Sequence, residues 1–233
     1  MQAVILAGGR GRRLYPYTAV LPKPLMPICN IPILEVILRQ MEKYGFADVI
    51  ISTGYLDGLI RAYLESSEHP DLNIRFSHEN EPLGTVGPLH LIDGLEETFL
   101  VMNGDVLTDI NYQRLVEYHR EKQAVATIAT FQRDTKIDFG VLVHDAANKI
   151  RGFTEKPIYH FEVSMGIYVF EREILAYVPK NTPFGFDDLM YAMIAQDAGI
   201  YSYPYSGYWL DIGRPDDYER SIDEFEKNKE KFL

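Results

Sequence analysis

The chain has 233 residues, of which 46% are apolar and 24% charged, and its formal net charge is −11. These proportions suit one large globular domain and exclude a disordered chain, while the acidic balance excludes a nucleic-acid surface, which needs a basic face. Cys29 is the single cysteine, which excludes an internal disulfide and fits a reducing compartment. No apolar run reaches the roughly 18 residues of a membrane span. Met1 leads into the first strand pattern without a basic leader. A soluble, cytoplasmic chain without membrane partners is the expectation.

The first apolar run, at 3–7, reads as a buried strand that breaks into Gly8, Gly9 and Gly11. Glycines there can take positive φ and let an anion approach the main chain. Arg10, Arg12 and Arg13 add charged donors that phosphates accept bidentately. Ten residues on, Lys23 stands between Pro22 and Pro24, which fix the backbone on both sides of one ammonium. A point charge held in that way suits an oxygen whose charge grows during reaction. Two familiar phosphate loops fail on spacing. A dinucleotide fingerprint needs a third glycine where Leu14 stands, and a P-loop needs a Gly-Lys-Ser/Thr that is absent here.

Next, Asn30 is expected to cap a helix with Pro32 in its first turn, an apolar face of Ile33, Leu34, Ile37, Leu38 and Met41, and a stop at Gly45. A strand at 48–53, a helix at 56–64 and a strand at 73–77 follow. This alternation predicts an α/β fold with a Rossmann-like mixed, mostly parallel sheet and helices on both faces. Ligands then gather at the carboxyl ends of the strands. Residues 79–89 make a second glycine-bearing loop after such a strand. The strand from 98 ends in Gly104-Asp105, where a carboxylate either reaches a hard cation bridging phosphates or caps the next turn. Asp109 reads as the cap of a helix at 112–121.

Strands at 124–131, 139–143 and 150–155 predict an antiparallel portion in the second half. By themselves Glu155 and Lys156 read as a solvated ion pair. A helix at 186–194 is expected to bury its methionines and aromatics, and a strand follows at 201–205. Trp209 reads as a packing residue just ahead of Asp211. The final stretch, 215–233, reads as a charged, solvated amphipathic helix.

The run L-A-G-G-R-G-R-R-L from Leu6 to Leu14, with Pro16, Thr18, Pro22-Lys-Pro-Leu25 and Pro27, resembles the signature of the sugar-1-phosphate nucleotidylyltransferases. Arg12 departs from it, since the family carries threonine there. The second loop, Ser77 to Leu89, resembles the mannose-1-phosphate guanylyltransferase branch. The segments Glu155-Lys-Pro, Ser164 to Phe170 and Trp209-Leu-Asp-Ile-Gly also match family positions, with Ser164 where asparagine is usual.

The resemblance implies the nucleotide-diphospho-sugar transferase fold over one catalytic domain, 1–233, with a nucleotide-binding half at 1–110 and a sugar-phosphate half at 111–233. It implies nucleotide contacts from Leu6, Ala7, Gly8, Gly9, Gly11, Arg12 and Arg13, and from Glu81, Pro82, Gly84 and Thr85. Sugar-phosphate contacts would come from Asn103, Gly140, Glu155, Lys156, Ser164 and Gly166. Asp105 and Asp211 would hold Mg2+, and Arg13 and Lys23 would be catalytic. The implied partners are a nucleoside triphosphate, GTP on the second loop, and a sugar 1-phosphate of manno configuration. Glu81 would accept guanine N1–H and N2–H together. Uridylyl, thymidylyl or cytidylyl transfer, and a non-catalytic sensor, are the alternatives. The oligomeric state stays open, with a homodimer as the assembly considered.

Overall fold

Residue alternation decides the two faces of the central sheet. In β1 (Gln2–Ala7), Ala3, Ile5 and Ala7 join one hydrophobic cluster and Val4 joins the other, and all four are buried. A strand buried on both sides belongs in the middle of a parallel sheet.

The computed structural model describes all residues, Met1 to Leu233. After β1 come β2 (Pro27–Ile28), β3 (Ile31–Pro32), α1 (Ile33–Lys43), β4 (Asp48–Thr53), α2 (Asp57–Glu65) and β5 (Asn73–His78). Then follow β6 (Thr98–Asn103), β7 (Val106–Thr108), α3 (Tyr112–Lys122), β8 (Ala126–Lys136), β9 (Val141–His144), β10 (Ile150–Thr154) and β11 (Ile158–Glu171). The chain closes with α4 (Phe186–Ala195), β12 (Ile200–Tyr205), β13 (Trp209–Asp211) and α5 (Pro215–Phe232).

Seven strands form the main sheet in the order β12-β8-β11-β6-β1-β4-β5. β1 is parallel to both β4 and β6, and β5 is parallel to β4. β11 runs against β6 and β8, so the sheet is the mixed, mostly parallel one that the alternation predicts. From β1 the chain moves outward through β4 and β5, then returns to the other side of β1 as β6. That reversal opens a crevice at the carboxyl ends of β1 and β6. One face is covered by α1, α3 and α5, and the other by α4 with 3₁₀ turns at Gly87–Leu91 and Arg172–Tyr177. On α1, Leu34, Ile37, Leu38 and Met41 are buried, at about 1.5–3 kcal/mol for each such side chain.

Four local expectations need correction. Pro32 is the extended residue before α1 and lies in β3, while Asn30 sits in the β2–β3 turn and caps nothing. The pairing of Pro27 with Pro32 holds that segment extended. Asn111, and not Asp109, caps α3 by accepting the Arg114 N–H at 3.1 Å. The Asp109 carboxylate instead accepts the Tyr205 hydroxyl and, at 2.7 Å, the Tyr208 N–H. On α4, Leu189 and Met193 are buried, but Tyr191 and Ile194 are exposed because they lie on the opposite side of the helix. Nor is α5 a solvated tail. Phe225 and Phe232, two turns apart on one face, are buried in the core beside α1.

Candidate active site

Three segments meet at the carboxyl edge between β1 and β6. The loop after β1 carries Gly8 to Arg13, and its Gly11 has φ 58°, the left-handed conformation that favours glycine. Gly8 faces the Glu79 carboxylate, which a side chain at that position would displace. Thr18 donates its hydroxyl to the Gly11 carbonyl at 2.9 Å and closes the loop. Arg10, Arg12 and Arg13 are in no ion pair, so their charge is free for an anion. The Arg10 guanidinium lies 5.9 Å from the Tyr55 ring centre.

The second segment is Pro22-Lys-Pro24. Its short 3₁₀ turn, Lys23–Leu25, buries Pro24 and leaves the Lys23 side chain only 11% exposed. The third is the pair of strand ends at Gly104-Asp105 and Asp211. Gly104 N–H bonds the Leu6 carbonyl at 2.9 Å, and Ile212 N–H bonds the Asp105 carbonyl at 3.1 Å, which brings Asp211 beside Asp105. Lys23 Nζ donates to Asp105 Oδ2 and lies 3.9 Å from Asp211 Oδ1. Burial, and then the charge of Asp105, push the Asp211 carboxyl above the usual carboxylate range, with Lys23 and Arg13 pulling the other way. Two carboxylates thus share one ammonium, and Asp105 Oδ1 is buried without a hydrogen-bond partner.

Two cavities adjoin this cluster. One of about 260 Å³ is lined by Leu6, Ala7, Gly9, Gly11, Arg12, Arg13, Lys23 and Asp105. The other, of about 650 Å³, shares Leu6, Gly9, Gly11, Arg12 and Asp105 with it and adds Gly8, Glu79, Pro82, Gly84, Thr85 and Asn103. The sequence-selected loop residues are therefore brought together, with one exception. Glu81 lines only an adjoining side cavity of about 210 Å³ with Arg10, Tyr55 and Glu79, and of the two glutamates Glu79 alone also borders the main cleft. Glu79 accepts the Leu83 N–H at 3.0 Å, and burial raises its carboxyl. Reading the sequence did not single it out. The usable signal was position: Glu79 N–H continues the β4–β5 ladder to the Thr53 carbonyl at 2.9 Å, so it stands at a strand's carboxyl end as Asp105 does.

The sugar-side candidates separate into two groups. Asn103 packs its amide on Gly166, and Ser164 Oγ accepts the Gly166 N–H at 3.3 Å, all close to the cleft edge of β6 and β11. Gly140, Glu155 and Lys156 lie instead on the exposed β9–β10 hairpin and line neither cavity at Asp105. Trp209 packs 5.4 Å from the Phe131 ring and donates to the Met165 carbonyl at 2.9 Å, the packing role its position implied.

The crevice at the sheet's reversal, floored by a glycine loop and faced by a lysine between two aspartates, defines a nucleotide-diphospho-sugar transferase fold. A family model described as nucleotidyl transferase matches residues 2–228. The chain belongs to that family. It is 32% identical over 226 residues to mannose-1-phosphate guanyltransferase beta-B of Xenopus laevis, covering 94% of this chain and 62% of the relative. It is equally 32% identical, over 242 residues, to the UTP–glucose-1-phosphate uridylyltransferase of a Synechocystis strain, covering 95% and 62%. Among solved structures it is similar to HddC from Yersinia pseudotuberculosis complexed with GMP-PN, with a TM-score of 0.72 and 25% identity, covering 96% of this chain and 99% of that one. The chain spans about 62% of the length of the curated relatives it matches. No helix is long and apolar enough to cross a membrane.

Proposed function

We propose that this chain transfers a nucleotidyl group from a nucleoside triphosphate to a sugar 1-phosphate, releasing pyrophosphate, with GTP as donor and a manno-configured sugar 1-phosphate as acceptor. The observation that carries the reading is the Lys23 ammonium between Asp105 and Asp211, at the meeting of the arginine-bearing loop and the crevice. In the reaction an acceptor phosphate oxygen bonds to the α-phosphorus while the bond from α-phosphorus to the bridging oxygen breaks. Positioning and charge neutralisation supply most of such catalysis. Arg13 and Arg12 take the leaving pyrophosphate, and Lys23 turns from Asp105 to the α-phosphate. Lys156 and Glu155 serve the acceptor from the hairpin.

Mg2+ suits the residues present. Nowhere do three or more His, Cys, Asp or Glu side chains converge as a closed cage. Mg2+ commonly takes one or two carboxylates and completes its shell with phosphate oxygens and water. Asp105, with its unpartnered buried oxygen, and Asp211 would hold it, and it would neutralise charge on the phosphates.

Glu79 is the second-loop carboxylate that lines the larger cavity, and guanine would offer it two adjacent donors where uracil or thymine offers one. The guanyltransferase relative and the GMP-PN bound to HddC support GTP, while the uridylyltransferase relative supports UTP as the second reading.

One assay tests the reading: pyrophosphate release from GTP, UTP, dTTP and CTP against a panel of sugar 1-phosphates, with and without EDTA. No release with any pair would sink the reaction itself, and full activity in EDTA would remove the metal. Glu79→Gln should cut the GTP over UTP preference by about tenfold or more, while Glu81→Gln leaves it unchanged. The reverse pattern would return base reading to Glu81.

A further inference from the structure

Tyr55, just past β4, touches the arginine-bearing loop at three places. Its N–H donates to the Gly8 carbonyl at 3.2 Å, and its hydroxyl donates to the Ala19 carbonyl at 3.2 Å. Between these two ends its ring lies 5.9 Å from the Arg10 guanidinium, within cation–π reach. Gly54 permits the approach, since a Cβ there would lie 3.2 Å from the Gly8 carbonyl oxygen. The loop has few other anchors. From Arg12 to Val20 only Leu14 and Thr18 are buried, while Tyr15, Tyr17 and Val20 are exposed. Its own hydrogen bonds are those of short turns, with Leu14 N–H on the Gly11 carbonyl at 2.9 Å and Ala19 N–H on the Pro16 carbonyl at 3.0 Å. Segments with so few buried contacts open locally at little cost.

We propose that Tyr55 is a positioning residue that ties this loop to the end of β4 and sets Arg10 as a further triphosphate-binding residue beside Arg12 and Arg13. The proposal rests on the proposed function. Hydroxyl and ring do separable jobs. The hydroxyl pins the outer turn at Ala19, which fixes the course of the chain past Arg12 and Arg13. The ring gives the long Arg10 side chain a surface to lie on, so less rotamer freedom is lost when a phosphate arrives.

Arg10 borders both the larger cavity at Asp105 and the side cavity that Glu81 lines, so the orientation of its guanidinium decides which of the two receives its charge. Unlike Lys23, it has no carboxylate partner to give up. It is also absent from the cavity lined by Lys23 and Arg13, which separates it from the bond exchange at the α-phosphorus. Arg10 and Tyr55 therefore act on triphosphate affinity and not on the chemical step.

Tyr55→Phe, Tyr55→Leu, Arg10→Ala and the double variant of the last two test this, with a thermal melt to check each fold. Hydrogen exchange reads the loop without ligand, and calorimetric titration with GTP and with inorganic tripolyphosphate reads it without turnover. In Tyr55→Phe the amides of Ala19, Val20 and Leu21 should exchange faster, while the Kd for tripolyphosphate rises only about threefold, the loss of one hydrogen bond. Tyr55→Leu and Arg10→Ala should each raise that Kd about tenfold, and the double variant should be little weaker than either, because both changes remove the same contact. In the pyrophosphate assay KM for the triphosphate should follow these changes while kcat stays within about threefold. Unchanged exchange in Tyr55→Phe would overturn the tether, and fully additive losses would overturn the link between ring and guanidinium. A fall in kcat at constant KM would overturn the assignment to binding. Tyr55→Phe and Arg10→Ala keep the test open to failure should Tyr55→Leu not fold. A wild type that binds neither GTP nor tripolyphosphate would overturn the phosphate role of Arg10. Binding without pyrophosphate release from any substrate pair would instead count against the proposed reaction and uphold the positioning.

Discussion

Lys23 carries opposed demands, because the resting chain needs its charge between two carboxylates and the proposed reaction needs it on a phosphate. Removing one member of a largely buried pair leaves the other charge uncompensated, a cost of about 3 kcal/mol or more. Lys23→Ala should therefore lose both stability and turnover, the latter by about 10²- to 10³-fold. Adding Asp105→Asn should recover stability in urea titrations but no turnover; recovered activity would contradict a direct role for Lys23. Asp211 gives a prediction of opposite sign. Its folded pKa is raised, so the folded chain holds that proton more tightly than the unfolded one. Stability is then lost as pH rises through the window from the unfolded to the folded pKa. Asp211→Asn should melt higher than the wild type at neutral pH while turning over more slowly. The gain should vanish near pH 3, below the ordinary aspartate pKa of about 3.9. A variant that melts lower at neutral pH would show that attraction to Lys23 outweighs burial.

Among the elements, α5 links the two sides of the site. It starts four residues after Asp211, and its Tyr218 hydroxyl donates to the Pro27 carbonyl at 2.6 Å, just beyond the Lys23 turn. At its far end Gln40 of α1 donates to the Phe232 carbonyl at 3.0 Å and to the Thr108 carbonyl at 2.8 Å. Phe225→Ala should cost about 3–5 kcal/mol, since a buried aromatic is replaced by a cavity. A change below about 1 kcal/mol in denaturant titration would show that α5 is as loosely held as its charged sequence suggests. The same helix shows where periodicity stops informing. Its apolar positions are few, and two of the elements α5 packs against, β2 and β7, lie far away in the chain. By contrast α1 was legible, because five apolar residues at helical spacing need no distant information to define a face.

On the scale of the whole molecule, an acidic chain gathers three arginines that are in no ion pair, Arg10, Arg12 and Arg13, in the loop at the crevice. If the proposed reaction holds, that charge steers the anionic substrates to the crevice, and kcat/KM for the triphosphate should fall as ionic strength rises above about 0.15 M. Arg12→Thr should reduce that salt dependence; an unchanged slope would place Arg12 outside the phosphate path. What the sequence determined by itself was the set of strongly local features: the buried first strand, the glycine loop with its arginines, the proline-flanked lysine, the strand ending at Asp105 and the α/β alternation. Each follows from side-chain size, charge and backbone freedom within a few residues. Only the tertiary structure decided which carboxylate borders the cleft: Glu79 continues the β4–β5 ladder and faces Gly8, whereas Glu81 lines only the side cavity. It also decided the partners of Asp109, the burial of α5 and the separation of Glu155 and Lys156 from the two cavities at Asp105. Those depend on contacts between residues a hundred or so positions apart, where short-range patterns in the chain carry no register.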